Sequence, residues 1–483
     1  MELSRRDQLR WLLALPFASI AGRSLASGAD TLLGTWSGMV EDDAGRVYRF
    51  RLVITHDGVN LYAIDVGLVD ARASKVELNS PAIYLELASL GVTVRGTLVD
   101  RDRIDAVVIS EGQTQKAIIL RGDLYPVVLT KLPTGPMTRD RLRSLLLLSQ
   151  APAIGVGWSF VRGTRTVLVD GVRSLGMSTA VTETDAWHIG SDTKSMTATL
   201  VGRLVEAGYL RWNMTINELL SPKFSDIRSE YRQATLIDLL SHHAGLPRDA
   251  RKDSTTFAVG LKDARAERLT YARLVLTQPP VATPRTTTNY SNAGYVIVGA
   301  MIEQVMGTSW ETLIVEHLFA PLRMRSAGFG PPATAGKIDA PVGHARGHDN
   351  KLHPSTTPAI ADLPSVMGPA GLVHVSLNNL LTYLEAHRDR PERLLTRATW
   401  DKLQTPPYGD GYALGWGVDG KGRLSHEGSN GMWLVNVLVD RPSGMAFAGA
   451  LNATTPQSVS AIQQASEAAL LSGGSSANHT VVS

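Results

Sequence analysis

Cysteine is absent from all 483 residues. That excludes disulfides, cysteine-ligated zinc, iron–sulfur clusters, thiol catalysis and a lipidated N-terminal cysteine together. No run of about 18 uninterrupted apolar residues occurs, which excludes a polytopic membrane protein. Neither sign of charge dominates: 48 Lys and Arg stand against 45 Asp and Glu. Residues 1–26 hold Arg5, Arg6, Arg10 and Arg23 against Glu2 and Asp7, so most of the net +3 sits there. The rest is close to neutral and carries no long basic run, so no nucleic-acid footprint is present. There is no Gly-x-Ser-x-Gly elbow, no His-Glu-x-x-His, no phosphate loop and no dinucleotide fingerprint. His344-Ala-Arg-Gly-His348, with Asp349 and His353, has the residue types of a metal site. Gly343, Gly347 and Pro354 make that segment a loop rather than a ligand-bearing helix, so neither metal nor cofactor is expected.

What is present is ordinary globular composition, 43% hydrophobic and 19% charged. At ~150 residues per domain the length suggests about three units. The first is an address. Ser4-Arg5-Arg6-Asp7-Gln8-Leu9-Arg10 is followed by a short apolar stretch, Trp11 to Ala21, and then by small residues from Ser24 to Ala29. A basic n-region before a short h-region predicts an export signal over 1–29, and the paired arginines resemble the bacterial twin-arginine type. The expected location is the periplasm or the cell exterior, with no membrane insertion once the signal is removed.

From 30 to 123 short β-like runs recur at about ten-residue spacing, which predicts roughly eight strands in a small all-β barrel or sandwich. Trp36 is its expected core aromatic. Pro126, Pro133 and Pro136 mark a linker over 124–136. From 137 to 472 the pattern changes. A helix over Thr138 to Leu148 and strands over Ala153 to Val161 and Thr166 to Gly171 open the unit. Helices are expected near 193–207, 235–240, 293–306, 309–319, 376–387 and 455–471. Strands return at Ala413 to Val418, Arg423 to His426, Trp433 to Val439 and Ala446 to Leu451. Strands at both ends with helices between predict one α/β unit whose sheet is built from both ends. Residues 473–483 read as a disordered tail.

Three segments carry chemistry. In Ser191-Asp-Thr-Lys194, Met196, Leu200, Leu204 and Val205 fall on one helical face and Gly208 ends the helix. Ser191 then opens the helix, and Lys194 lies one turn on, on the same side. A hydroxyl needs an adjacent base to act as a nucleophile, and a lysine held neutral by burial can serve. The helix N-terminus also offers backbone N–H groups to a developing oxyanion. Tyr290-Ser-Asn292 follows a proline-bearing loop (Pro279, Pro280, Pro284) and is the one Tyr-x-Asn of the chain. A phenol can relay a proton if cations lower its pKa, and an amide can fix a substrate carbonyl. His426-Glu427-Gly428-Ser429 lies on a late strand; His56-Asp-Gly58 and His243-Ala-Gly245 match the same short pattern elsewhere.

In that order the three motifs resemble the serine β-lactamase and penicillin-binding protein superfamily, most of all the branch holding class C β-lactamases, D-amino-acid-acting peptidases and family VIII carboxylesterases. Leu239-Leu-Ser-His-His-Ala-Gly-Leu-Pro247, Gly368-Pro-Ala-Gly-Leu-Val373 and Gly411-Tyr-Ala-Leu-Gly-Trp416 add to the resemblance. It implies a β-lactamase/transpeptidase-like fold, an antiparallel sheet flanked by helices plus a helical subdomain, over 137–472. It implies Ser191 as the acylated nucleophile, Lys194 as its activator and Tyr290 as partner base and proton shuttle. Asn292 would hold the substrate. The backbone N–H groups of Ser191 and Ser429 would form the oxyanion hole, with Gly428 letting the strand approach. His426 stands where class C enzymes carry lysine, so a fixed cation for a substrate carboxylate becomes a titrating one.

The reading is a secreted, cofactor-free serine hydrolase acting on a small ester, amide or peptide. The alternative is a binding or sensor protein of the same fold that traps an acyl group or never reacts. The β unit would be an accessory that shapes access, binds a partner or simply stabilises the chain. Oligomeric state and the choice among ester, D-peptide and β-lactam lie in loops such as 248–285 and 325–367, whose shape sequence does not dictate.

Overall fold

The computed structural model describes residues 29–41, 47–56, 58–63, 68–88, 91–110, 113–122, 135–161, 163–250, 264–347, 351–356 and 362–474. The expected export segment, most of the linker, His348 and Asp349, and the chain after 474 lie outside the described residues. Gly473 and Gly474 close the last helix rather than opening a tail.

The N-terminal unit is a curled antiparallel sheet of nine strands: β1 (Gly34–Glu41), β2 (Val47–Thr55), β3 (Gly58–Ala63), β4 (Leu68–Arg72), β5 (Lys75–Asn79), β6 (Ala82–Leu87), β7 (Val92–Asp100), β8 (Arg103–Ser110) and β9 (Gln113–Arg121). Their spatial order is β4-β3-β2-β1-β9-β8-β7-β6-β5. The two edge strands are thus sequence neighbours. Ala73 N–H donates to Val59 and Ser74 N–H to Glu86, so the link between them is tied to both ends of the curl. Alternation sends Leu52, Ile54, Leu85, Val94, Ile104 and Ile119 inward around a fully buried Trp36. The indole N–H of Trp36 donates to Leu32 O at 2.8 Å, and the Arg121 guanidinium covers the ring at 4.1 Å. Of the strand expected over Val59 to Val66, β3 bears out the part to Ala63, and the rest lies outside the described residues.

The second unit is built on a six-stranded antiparallel sheet: β10 (Ala153–Phe160), β11 (Thr166–Gly171), and, far along the chain, β17 (Gly417–Val418), β18 (Leu424–Ser429), β19 (Leu434–Asp440) and β20 (Met445–Leu451). Its order is β11-β10-β20-β19-β18-β17, one sheet from both ends of the unit. Three short strands, β12 (Ala186–His188), β13 (Gly328–Phe329) and β16 (Val373–Ser376), make a small second sheet, and β14 (His344–Arg346) pairs with β15 (Leu352–Pro354). The central strands are buried on both faces. Ile154, Val156 and Trp158 turn to helices α1 (Arg139–Ser149) and α5 (Ser458–Gly474). Val435, Val437, Ala448 and Ala450 turn to α4 (Leu377–Asp389) and the helical region beyond it.

That region holds α2 (Thr193–Glu206) and α3 (Asn292–Met306), each buried nearly all round. The threonines of α2 are satisfied internally: Thr197 Oγ1 donates to Pro369 O and Thr199 Oγ1 to Ser195 O. Ser291 caps α3 through Gly294 N–H, and Gly307 ends it in the left-handed region. The stretch expected as part of a loop, 248–285, contains a helix over Ala264–Leu276. No helix among the described residues is long and apolar enough to cross a membrane.

Candidate active site

The short strand β12 delivers the chain to a one-turn 3-10 helix, Gly190–Asp192, which runs straight into α2. Ser191 sits in that turn, partly exposed. Lys194 lies one turn on and is completely buried. The turn abuts β18 backbone to backbone. A Cβ on Gly428 would fall 1.9 Å from Ile189 O, and one on Gly190 (φ +49°) would fall 2.5 Å from Ser429 N. Only glycine permits both approaches. They bring the Ser429 backbone against the residues that carry Ser191.

The Lys194 ammonium position has three neighbours: Ser191 Oγ at 3.1 Å, Asn292 Oδ1 at 2.7 Å and Ala370 O at 2.8 Å. The Asn292 amide is oriented by its other end, where Nδ2 donates to Asp249 Oδ2 at 3.3 Å. Burial, reinforced by the Arg248 guanidinium, lowers the Lys194 pKa from 10.5 to about 7; the carboxylates of Asp249 and Asp192 offset only part of this. Near neutrality the amine is therefore substantially unprotonated.

Tyr290 comes from the segment just before α3. Its ring lies 4.9 Å from Lys194 Nζ and 5.5 Å from the Arg248 guanidinium carbon. Burial raises its pKa, and interaction with the Ser191 hydroxyl and with Arg248 offsets that only partly. The neighbouring cations thus do not make it a phenolate, which differs from the sequence expectation; Tyr290 faces Ser191 as a neutral phenol. Behind it sits His242, buried, with φ +65°. Its ring packs 4.4 Å from Tyr290, 5.4 Å from Tyr295 and 4.6 Å from Tyr412. Ser291 N–H donates to His242 Nδ1 at 3.1 Å, tying the imidazole to the cap of α3.

His426 is placed differently from the free, titrating cation that the sequence suggested. It is buried and both ring nitrogens are engaged: Nδ1 with Asp192 Oδ1 at 3.1 Å and Nε2 with the Tyr412 hydroxyl at 3.1 Å. Burial, and then the Lys194 charge, push its pKa down to about 3. Burial and the nearby Glu427 push Asp192 up, against the pull of Lys194. A neutral imidazole with one N–H and one lone pair fits between these neighbours and offers no cation to a substrate. Glu427 itself is raised by burial to about 7.

Ser191, Lys194, Tyr290, Asn292, Gly428 and Ser429 thus converge, with His426 set just behind them. Asp192, His242, Arg248 and Tyr412 were not singled out as site residues by sequence. The three supporting segments were the available signal, since each contributes one group here: His242, the Ala370 carbonyl and Tyr412. His344 accepts Leu175 N–H at Nε2 and faces Asn452 O at Nδ1, so it is a satisfied core histidine. No metal-binding group of His, Asp and Glu occurs among the described residues.

Comparison with known proteins bears on the same region. Residues 147–470 match the family model described as Beta-lactamase. Penicillin-binding protein 4 of Amycolatopsis lactamdurans is 31% identical over 292 residues, which span 56% of this chain and 73% of that protein. The octameric penicillin-binding protein homologue from Pyrococcus abyssi superposes with a TM-score of 0.57 at 24% identity, over 68% of this chain and 77% of its own. A D-amino acid amidase from Ochrobactrum anthropi SV3 gives 0.57 at 18% identity, over 71% and 100%. At such identities the two structures speak for the fold alone. With the matched region spanning both ends of the sheet and all three motifs, the chain belongs to the Beta-lactamase family, within the serine β-lactamase and penicillin-binding protein superfamily.

Proposed function

We propose that the chain hydrolyses small esters or amides through an acyl-enzyme on Ser191. The observation that carries this is the geometry around Lys194. A neutral amine has two N–H donors and one lone pair. Asn292 Oδ1 and Ala370 O can only accept, so they take the two donors. The lone pair is left for the Ser191 hydroxyl at 3.1 Å. Burial keeps the amine neutral near pH 7, which is the state the base needs.

Lys194 takes the Ser191 proton as Oγ attacks the substrate carbonyl. The tetrahedral oxyanion is received by the backbone N–H groups of Ser191 and Ser429. Collapse expels the alcohol or amine, which takes the proton back from Lys194 through the Tyr290 phenol. Water then repeats the sequence on the acyl-enzyme and frees Ser191. The Asn292 carbonyl orients Lys194, and its amide is held by Asp249. The relatives' names, penicillin-binding protein and D-amino acid amidase, extend the candidate acyl donors to β-lactams and D-amino acid amides. The basic and apolar pattern of residues 4–21 supports export as the setting.

Steady-state hydrolysis of p-nitrophenyl butyrate by the wild type and by Ser191→Ala tests the reading. We expect turnover in the wild type and a loss of at least about 10³-fold in the variant. Equal rates in the two would overturn it.

A further inference from the structure

We propose that Asp362 is a positioning residue of this site, one carboxylate that holds both backbone segments of the oxyanion pocket through His188 and Asn430. The proposal rests on the Ser191 hydrolase reading for its catalytic consequence, but not for its structural one.

The geometry is a chain of hydrogen bonds with a fixed direction. Gly190 N–H donates to His188 Nδ1 at 3.2 Å, so Nδ1 carries the lone pair. The ring proton therefore sits on Nε2, which lies 3.1 Å from each oxygen of Asp362. Both side chains are essentially inaccessible, at 0% and 1%. Asp362 Oδ1 also accepts Asn430 Nδ2 at 3.1 Å and its own neighbour Leu363 N–H at 2.7 Å. Asn430 in turn accepts Met432 N–H at 3.1 Å, which shapes the turn that leaves Ser429.

Gly190 is the residue before Ser191, and Asn430 the residue after Ser429. Three side-chain and backbone donors converge on Asp362, whose two oxygens accept all three. The tautomer of His188 is set by that carboxylate and passed on to Gly190 N–H. Because Gly190 and Gly428 let the two backbones touch, the pair of N–H donors has no slack of its own. Their spacing follows from what holds the two flanking turns, and misplacement of about 1 Å costs about 10²-fold in rate.

Asp362→Asn breaks the pattern at constant size. If the amide oxygen keeps Leu363 and Asn430, its NH₂ confronts His188 Nε2–H. A change of tautomer relieves that clash only by turning Nδ1–H against Gly190 N–H. Either way a buried donor faces a donor. His188→Gln keeps one acceptor and one donor, whereas His188→Leu keeps neither.

The experiment pairs hydrogen exchange with kinetics on the full chain. We expect Asp362→Asn to raise exchange about tenfold or more in peptides spanning 188–192 and 429–432, with the core strands unchanged. With p-nitrophenyl butyrate we expect kcat to fall on the order of 10–10²-fold while KM moves less than about threefold. His188→Gln should recover most of the rate that His188→Leu loses. Unchanged exchange in both peptides would overturn the proposal, as would a kcat loss matched by an equal rise in KM or shared equally by Gln and Leu. Exchange is read without turnover, so an inactive wild type would count against the hydrolase reading and leave the Asp362 result standing or falling on its own.

Discussion

Lys194 is where side-chain chemistry and stability meet. Its ammonium would be buried with only partial compensation from Asp249 and Asp192, so the fold favours the neutral amine and the pKa falls to about 7. The active base is the deprotonated form. We expect kcat/KM to rise with pH through a limb near 7, measured with a neutral ester. Arg248 is among the causes of the low value, and its removal in Arg248→Gln should move that limb to higher pH. Because Arg248 is about half exposed, added salt should weaken its effect and shift the wild-type limb the same way. The same residue couples to stability. An unfolded lysine keeps its proton to 10.5, whereas the folded one loses it at about 7. The unfolded chain therefore binds more protons between those values, and stability rises with pH across that window. Lys194→Met should abolish that increment, on the order of 4 kcal/mol, while removing activity. Urea denaturation of the two proteins at pH 7 and pH 10 checks it: a pH dependence shared by both would contradict the assignment.

The residue scale also shows what sequence can and cannot carry. Ser191, Lys194, Tyr290 and Asn292 were legible because each belongs to a short spacing pattern with a chemical reason. The state of His426 was not, because its engagement by Asp192 and Tyr412 depends on segments far apart in sequence. Nor was the state of Tyr290, since burial outweighs the cations beside it. Asp362 has no spacing pattern at all; only folding brings it to His188 and Asn430.

At the scale of elements, the site depends on how closely the nucleophile turn and β18 meet. In Gly428→Ala the new methyl would stand 1.9 Å from Ile189 O, a backbone atom that cannot rotate away. The strand must retreat, and with it Ser429. We expect a rate loss of at least about 10²-fold with a lowered melting temperature. Near wild-type kcat would show that the approach is not needed. The two-ended sheet was legible from apolar alternation at 153–171 and 433–451. Positions of α2 and α3 followed from their apolar pattern, with Gly208 marking the end of α2. The helix at Ala264–Leu276 was missed because it lay in a stretch taken as loop, its polar face giving little apolar signal. The strand expected over Ala413 to Val418 shrank to Gly417–Val418, since Ala413 to Trp416 form the turn that holds Tyr412 against His426.

At the scale of the whole chain, the two units keep separate cores. Trp36 anchors one, and the apolar layers on either side of β10, β19 and β20 form the others. Trp36→Ala should therefore destabilise the N-terminal unit by about 3–5 kcal/mol. Calorimetry should show one transition lowered, and ester hydrolysis at 25 °C should persist. Loss of hydrolysis in step with that transition would tie the β unit to the site. The β character of this unit and its core aromatic were readable from spacing alone. The ties of Ala73 to Val59 and of Ser74 to Glu86 were not, because backbone hydrogen bonds do not depend on side-chain type and leave no mark in the sequence.

The central claim is that Ser191 becomes the acyl carrier. Rapid-quench intact mass with peptide mapping, using p-nitrophenyl butyrate on the wild type and on Ser191→Ala, reads it most directly. The account requires a butyryl adduct on the peptide containing Ser191 that appears and decays at rates consistent with turnover, and no adduct in the variant. A wild type that turns over without an adduct, or carries it on another residue, would contradict the account.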